Sequence, residues 1–185
     1  MAVASGSASS DASQALAVVV MGVTGAGKTT VGLKLAEALG GQFIDGDNLH
    51  TDEARAKMSQ GQPLTDEDRW PWLDRIAAAL CDGLSRGVTT VIACSALKRA
   101  YRDRLRQRAG ASLRFVYLKA DRDLMRARVA SRRGHYMPAS LVDSQFAALE
   151  PPDGEADVIA MPADADLDAA IPRIAVELKA AARPS

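Results

Sequence analysis

The sequence predicts an α/β protein, in which a five-stranded parallel sheet carries helices on both faces, and two observations lead to this prediction. Apolar segments of strand type recur at 16–21, 42–45, 88–94, 113–118 and 157–160. Segments with helical patterns alternate with them, near 28–39, 51–60, 71–85, 96–109, 121–133, 138–148 and 166–181. Such alternation is typical of a doubly wound parallel sheet, which binds ligands beyond the carboxyl ends of its strands. Functional residues are therefore expected directly after each strand.

The first strand leads into a glycine-rich loop and then a helix. Residues 16–21 form the continuous apolar run of a buried parallel strand, and residues 22–29, GVTGAGKT, match the pattern G-x-x-x-x-G-K-[ST]. The backbone N–H groups of such a loop and the following helix N-terminus cradle phosphate. Lys28 is expected at the β- and γ-phosphates and Thr29 at Mg²⁺. The nucleotide contacts are expected from Gly22, Thr24, Gly25, Ala26, Gly27, Lys28, Thr29 and Thr30.

Composition restricts the class of function. Lys plus Arg and Asp plus Glu both number 23, so no global field favours nucleic acid or an anionic membrane as a partner. Two cysteines and no apolar run of membrane-spanning length fit a cytoplasmic protein. Residues 1–15, mostly Ala and Ser, lack the regions of a signal peptide and are predicted to form a disordered tail. Residues 16–185 are then a single domain.

Two carboxylates follow the second strand, in the segment 45–50, DGDNLH. If the chain is extended there, the side chains of Asp45 and Asp47 project to the same side of the strand. Asp45 is then a candidate for orienting Mg²⁺, and Asp47 for accepting a proton from a substrate hydroxyl. Turn chemistry and a helix N-cap are the alternative explanation of the same residues. Their position after a strand in a phosphate-loop protein favours the functional interpretation.

Basic residues follow the third and fourth strands. Lys98 and Arg102 lie one helical turn apart, where they either meet an anionic substrate or form a solvated basic face; Ser95 is a plausible N-cap. Five arginines fall between 122 and 133, and arginine suits phosphate contacts and stacking on adenine. Residues 122–138 are predicted to form a mobile lid over ATP, with Arg128 and Arg132 as the inward pair. The alternative, an exposed basic helix, is expected to hold for one or two of the five.

Several separate stretches together resemble the small phosphate-loop gluconokinases of the thermoresistant type, relatives of shikimate and adenylate kinases. These stretches are GVTGAGKT at 22–29, DGDNLH at 45–50, KMSQGQPLTDEDRWPWL at 57–73, ACSALKRAYRDRLR at 93–106 and HYMPASLVDSQFAALEPP at 135–152. The first indicates only a nucleotide, whereas the others, in this order, are specific to the family. The resemblance implies a phosphate-loop kinase fold and ATP- and Mg²⁺-dependent phosphorylation of D-gluconate at its 6-hydroxyl, commonly by a homodimer.

The resemblance also implies where the acceptor binds, because relatives cover it with the insertion at residues 48–72. Arg69, with Lys98 or Arg102, is expected to meet the gluconate carboxylate, while His50 and Asp45 contact hydroxyls. The substrate-binding candidates are Asp45, Asp47, His50, Lys57, Arg69, Ser95, Lys98, Arg102 and His135, and the catalytic candidates are Lys28, Asp47 and Arg128. A structural histidine at 50, and packing roles for Trp70 and Trp72, are the alternatives. Thr51 replaces the usual proline of the family, which leaves room for a modest shift in substrate preference.

Two other functions compete with this interpretation. A kinase of shikimate, a nucleoside monophosphate or another sugar acid would share the fold and the lid, and differ only at the acceptor side. A GTPase-like nucleotide switch would require an Asn-Lys-x-Asp guanine reader and an Asp-x-x-Gly switch, and the sequence contains neither.

Overall fold

The computed structural model describes residues 14–131 and 139–182, and a parallel five-stranded sheet forms its centre. The strands are β1 (Ala17–Met21), β2 (Gln42–Asp45), β3 (Thr90–Ala93), β4 (Leu113–Lys119) and β5 (Val158–Pro162). They lie in the order β2-β3-β1-β4-β5, and each neighbouring pair is parallel. The predicted sheet is confirmed, and all five carboxyl ends point to the same edge.

Helices alternate with the strands as the sequence predicts. They are α1 (Lys28–Leu39), α2 (Asp52–Ser59), α3 (Asp66–Ser85), α4 (Arg99–Ala109), α5 (Arg122–Ser131), α6 (Ala139–Ala148) and α7 (Leu167–Ala181), and a short 3-10 helix spans Gly46–Leu49. Helix α3 begins at Asp66 rather than near 71, because Thr65 and Asp68 form a capping box that starts the helix before Pro71. No helix within the described ranges is both long and apolar enough to cross a bilayer.

The core has two layers because successive side chains of a strand point to opposite faces of the sheet. Val18 and Val20 of β1 pack in a cluster with α1 and α7, while Ala17 and Val19 pack in a second cluster with α3 and α4. All four side chains are fully buried. The central strand is therefore covered on both faces, which holds the loop that follows it in a fixed place.

Parts of two predicted segments lie outside the described residues. These parts are residues 1–13 of the predicted tail and 132–138 of the predicted lid, and the second includes Arg132 and His135. Residues 122–131 of the predicted lid form α5.

Candidate active site

The loop between β1 and α1 is built to accept an anion. Gly25 and Gly27 have φ values of 82° and 94°, in the left-handed region that favours glycine. A Cβ added to Gly27 would meet no atom of the described residues within 4 Å, so the loop backbone leaves room for a ligand there. Gly27 is also the N-cap of α1; it supplies no capping side chain, and the first turn carries no acidic residue. The first N–H groups of α1 thus point to a place that a phosphate group can occupy.

The lysine of this loop lies over the loop itself. The Nζ of Lys28 donates a hydrogen bond to the carbonyl oxygen of Val23 at 3.0 Å. Thr29 and Thr30 follow in the first turn of α1 and are exposed. The beginning of the loop is joined to the segment after β3, since the backbone N–H of Gly22 donates to the carbonyl oxygen of Ser95 at 3.3 Å. Ser95 therefore lies beside the phosphate loop, as its assignment to the site requires.

At the end of β2 the two carboxylates differ from the extended arrangement expected from the sequence. Asp45 is the N-cap of the 3-10 helix, and its Oδ1 accepts a hydrogen bond from the backbone N–H of Asp47 at 3.1 Å. The chain turns after Asp45, so this residue acts as an N-cap, and its role toward Mg²⁺ stays a prediction. The side chain of Asp47 is 86% exposed and stays available to a ligand.

His50 is enclosed on the other side of Asp47. Its ring stacks on Trp72 with the centroids 4.3 Å apart, and its Nε2 lies 4.0 Å from Oδ1 of Asp47. Its buried Nδ1 has no hydrogen-bond partner among the described residues. Burial lowers the pKa of His50, and it outweighs the opposing charge of Asp47. The imidazole is therefore neutral at neutral pH. Trp72 is 2% exposed and donates to the carbonyl oxygen of Gly46 at 2.7 Å, so its role is packing.

Charged side chains from three elements act on one point at the carboxyl end of β3. Burial raises the pKa of the Cys94 thiol to about 12, while the charges of Lys28 and Arg69 lower that pKa and the charge of Asp47 raises it. The charges of the phosphate-loop lysine, the carboxylate after β2 and an arginine of α3 thus all act on this buried thiol.

Two of the lysines assigned to the substrate have acidic partners. The Nζ of Lys57 lies 2.5 Å from Oδ1 of Asp68, and the Nζ of Lys98 donates to Asp66 at 2.8 Å. Tyr101 also donates to Asp66, and these two hydrogen bonds lower the pKa of the Asp66 carboxyl.

Arg69 differs from both lysines. Its guanidinium lies 5.9 Å from the centre of the Tyr101 ring, and no carboxylate of the described residues lies within ion-pair distance of it. Arg69 is therefore the candidate whose charge remains available for a substrate carboxylate.

Arg102 does not occupy the place expected for it, and its assignment to the substrate is wrong. It is 1% exposed, and its Nε and Nη2 donate to the carboxylate of Glu155 at 2.9 and 2.5 Å. Its Nη1 donates to the carbonyl oxygens of Ala96 and Leu97, both at 3.1 Å. Ala96 has a positive φ of 41°, so this arginine holds a strained turn beside Ser95. Arg102 supports the loop after β3 rather than contacting a ligand.

Arg128 lies at the opposite side of the phosphate loop, toward β5. Its Nη1 donates to the carbonyl oxygen of Ala163, which follows β5, at 3.1 Å. Another arginine of α5, Arg126, pairs with Asp143 of α6 at 2.6 Å and has a structural partner. The alternative of a non-ligand role therefore applies to Arg126, while Arg128 lies at the ligand-binding edge of the sheet.

The oxygen donors near the loop fit Mg²⁺. Thr29 supplies a hydroxyl and Asp45 a carboxylate, and hard oxygen ligands are those that Mg²⁺ prefers. No group of three His, Cys, Asp or Glu side chains suited to a metal occurs in the part of the chain that the structure describes. Such a group is not required, because Mg²⁺ beside a nucleotide is bound by one or two protein oxygens together with phosphate oxygens and water.

Three residues of the site were not singled out from the sequence. Asp66 and Tyr101 hold Lys98, and Gln145 accepts a hydrogen bond from the backbone N–H of Thr24 in the phosphate loop at 2.6 Å. All three fall in the stretches that resemble the gluconokinases, at 57–73, 93–106 and 135–152. Their position in these stretches is the sequence feature that could have identified them as site residues.

Comparison with known proteins agrees with this geometry. A family model described as an AAA domain matches residues 18–152. The chain is 44% identical to the thermosensitive gluconokinase of Escherichia coli (strain K12) over 150 residues, which are 80% of each chain. It is 48% identical to the probable gluconokinase of Schizosaccharomyces pombe (strain 972 / ATCC 24843) over 149 residues, 76% of each chain.

A solved structure is similar over nearly the whole chain. The crystal structure of a gluconokinase from Sinorhizobium meliloti 1021 has a TM-score of 0.76 and 46% identity, with 90% of this chain and 93% of that one covered. The family model, which matches residues 18–152, includes the phosphate loop and the segment after β2. This protein belongs to the gluconokinase family.

Proposed function

We propose that this protein transfers the terminal phosphoryl group of ATP to gluconate. The observation that carries the proposal is the phosphate loop, where Gly25 and Gly27 have left-handed backbone and Lys28 lies over the loop, together with the exposed Asp47 after β2. Phosphoryl transfer requires a cradle for the polyphosphate, a group that orients the attacking hydroxyl and a means of holding the acceptor. The phosphate loop, Asp47 and Arg69 supply these three parts. The family relationship supports gluconate as the acceptor.

Asp47 is the proposed base. It is an exposed carboxylate at the ligand-binding edge of the sheet, so it orients the 6-hydroxyl of D-gluconate and accepts its proton. Lys28 exchanges its hydrogen bond to the carbonyl oxygen of Val23 for a contact with the transferred phosphoryl group. Its positive charge there stabilises the negative charge that spreads over that group in the transition state. Because the transition state of such transfers is loose in most enzymes, positioning and charge are expected to contribute more than base strength.

Arg69 is the proposed partner of the gluconate carboxylate, because it is half-buried and lacks an acidic partner among the described side chains. Lys57 lies in the insertion, residues 48–72, and Lys98 pairs with a carboxylate of that insertion. Either lysine binds the substrate only if the substrate displaces its carboxylate partner. His50, neutral and stacked on Trp72, stays a candidate for contacting a hydroxyl, and Ser95 is proposed to border the reacting group. His135 stays a candidate from the motif alone.

The nucleotide is proposed to bind with Arg128 on the side of β5, and Arg132 stays a candidate from the sequence alone. Mg²⁺ is proposed to be bound by Thr29, with Asp45 as a direct or water-mediated ligand. When bound, Mg²⁺ neutralises charge on the β- and γ-phosphates.

We also infer a homodimer, which the family resemblance supports, and light scattering would test it. The free thiols of Cys81 and Cys94 are compatible with the proposed cytoplasmic location.

The decisive experiment is a coupled assay of ADP formation with a panel of acceptors. The panel contains D-gluconate, shikimate, a nucleoside monophosphate, other sugar acids and the neutral polyol sorbitol, and the Lys28→Met variant serves as the inactive control. We expect D-gluconate to have the highest kcat/KM. A higher kcat/KM for another sugar acid would reassign the acceptor, and a Lys28→Met variant with normal turnover would remove the phosphate loop from the mechanism.

A further inference from the structure

The phosphate loop is tied to a residue that lies far along the chain. The backbone N–H of Thr24 donates to Oε1 of Gln145 at 2.6 Å, across 121 positions of sequence. The assignment of the amide oxygen follows from chemistry, because a backbone N–H is only a donor and the side-chain nitrogen of glutamine has no acceptor lone pair to offer. A buried or half-buried loop amide that is satisfied in this way has one preferred orientation.

Gln145 comes from a helix that is firmly packed. Val142 of α6 is fully buried in the core layer that contains Met125 and Val129 of α5. Arg126 of α5 donates two hydrogen bonds to Asp143 of α6, at 3.0 and 2.7 Å. The Arg126–Asp143 pair therefore fixes α6 on α5, and with it the position of Gln145, through a contact that does not involve the phosphate loop.

The loop also packs directly on α5. A Cβ added to Gly25 would lie 3.1 Å from Cγ2 of Val129 and 3.6 Å from the sulfur of Met125. Residues 24 and 25 are thus held from outside by two neighbouring helices, through a hydrogen bond at Thr24 and close packing at Gly25. Glycine-rich loops lose much conformational freedom when they are ordered, so an outside contact is a direct way to order one.

We propose that Gln145 is a positioning residue for phosphoryl transfer, and that its side-chain oxygen sets the orientation of the Thr24 peptide so that the loop is preformed for the polyphosphate. This inference rests on the proposed phosphoryl transfer from ATP. Gln145 acts through Thr24 rather than on the reacting atoms. A loop whose N–H groups are already aimed at the phosphates loses less free energy on binding, and small displacements of such groups reduce turnover strongly.

Three variants test the proposal. Gln145→Met keeps the length and packing of the side chain and removes the acceptor, and Gln145→Glu keeps an oxygen acceptor. Ser144→Ala alters a neighbouring side chain that, among the described residues, bonds only to the carbonyl oxygen of Leu141 in α6. For Gln145→Met we expect kcat, and with it kcat/KM for ATP, to fall about tenfold or more, with gluconate KM within about twofold of wild type. For Gln145→Glu we expect kcat close to wild type and a raised KM for ATP, because the added carboxylate repels the phosphates.

A second readout reports on the hydrogen bond itself. In NMR spectra of the intact protein, the amide proton of Thr24 is expected upfield of its wild-type position in Gln145→Met and close to that position in Gln145→Glu. Ser144→Ala should match wild type in the Thr24 shift and in all kinetic constants. A merely structural role for Gln145 would lower the melting temperature of both Gln145 variants without the recovery of kcat in Gln145→Glu.

Failure of this inference can be told apart from failure of the proposed function. If wild type phosphorylates gluconate and Gln145→Met has the same kcat/KM for ATP, or if Gln145→Glu loses as much kcat as Gln145→Met, the role of Gln145 is refuted. If wild type does not phosphorylate gluconate, calorimetric titration with ATP still decides the matter. A tenfold weaker affinity in Gln145→Met would then support the positioning role, and an equal affinity would overturn it.

Discussion

Arg69 and Arg102 lie in two stretches that resemble the gluconokinases, but the residues that contact each arginine give the two side chains different roles. Arg102 donates to Glu155 and to two carbonyl oxygens, so its hydrogen-bonding capacity is used within the protein. Arg69 packs on the face of Tyr101, which leaves its N–H groups available for a ligand. A charged side chain is available to a substrate only when the folded chain has not already neutralised it.

We expect Arg69→Gln to raise the KM for gluconate about 10- to 100-fold with a small change in kcat, since it removes a charge-assisted hydrogen bond to the carboxylate. Steady-state kinetics with gluconate and with sorbitol check this. Sorbitol lacks the carboxylate, so the variant and wild type should use it with equal kcat/KM. An equal penalty on both acceptors would show that Arg69 supports the fold of the site instead. Arg86→Gln, at the far end of α3, is the control.

We expect Asp47→Asn to lower kcat about 10²- to 10⁴-fold, because the amide cannot accept the proton of the hydroxyl. The gluconate KM should change little, and circular dichroism should show an intact fold. Asp52→Asn, an exposed carboxylate in the first turn of α2, should leave kcat unchanged. If Asp47→Asn changed only the gluconate KM, the residue would be assigned to binding alone.

At the scale of secondary-structure elements, helix starts decide where several site residues lie. Thr51, where the family usually has proline, is the N-cap of α2 and accepts from the N–H of Ala54 at 3.1 Å. The departure from the family is therefore compensated by a capping hydrogen bond. In the same way, the start of α3 at Asp66 brings this carboxylate to Lys98. The helix start thus decides that Lys98 has an internal partner.

Helix α5 carries the prediction for the nucleotide side. We expect Arg128→Ala to raise the KM for ATP and to lower kcat, each by about tenfold, because a guanidinium near the polyphosphate is lost. Thermal unfolding should be nearly unaffected, since within the described part of the chain the Arg128 side chain makes a single hydrogen bond, to a carbonyl oxygen. Arg173→Ala, exposed on α7, is the control. Kinetic constants equal to those of wild type would assign Arg128 to the solvated face.

At the scale of the whole molecule, one buried ionic cluster joins α4 to the segment before β5. Glu155 accepts hydrogen bonds from Arg102 and Arg106, and Arg106 also pairs with Asp157 at 2.7 Å. Burial alone would raise the pKa of Glu155, but the hydrogen bonds and charges of the two arginines outweigh it and lower that pKa from 4.5 to about 2. The cluster fixes the loop after β3 relative to the sheet, and so it connects overall stability to the geometry of the site.

We expect Glu155→Gln to lower the free energy of unfolding at pH 7 by about 3 kcal/mol, since it leaves Arg102 buried without its charge partner. Urea denaturation measures this, and Asp153→Asn, an exposed carboxylate two positions away, should change little. Because the folded pKa of Glu155 is depressed, its contribution is complete above pH 4.5 and is lost as the pH falls from 4.5 toward 2. The difference between wild type and Glu155→Gln should therefore shrink below pH 4.5. A constant difference would contradict the assignment.

Local sequence determined the strands, the phosphate loop and the helix starts of this protein. The apolar runs predicted the five strands, and the loop at 22–29 predicted the turn into α1 that starts at Lys28, because these structures depend on neighbours within a few residues. The start of α3 also depends on local sequence, because Thr65 and Asp68 have the spacing of a capping box, although Pro71 suggested a later start. The N-cap role of Asp45 was an alternative that the sequence already contained.

Only the tertiary structure decided which of the charged candidates are available to ligands. The guanidinium of Arg102 is hydrogen-bonded to Glu155, 53 positions away in sequence, and the backbone N–H of Thr24 is hydrogen-bonded to Gln145, 121 positions away. Side-chain availability depends on partners that meet through space, and a helical or strand pattern carries no information about them. Short-range periodicity therefore determined the scaffold and the phosphate loop of this protein, while long-range hydrogen bonds and ion pairs decided the division of roles among its arginines and carboxylates.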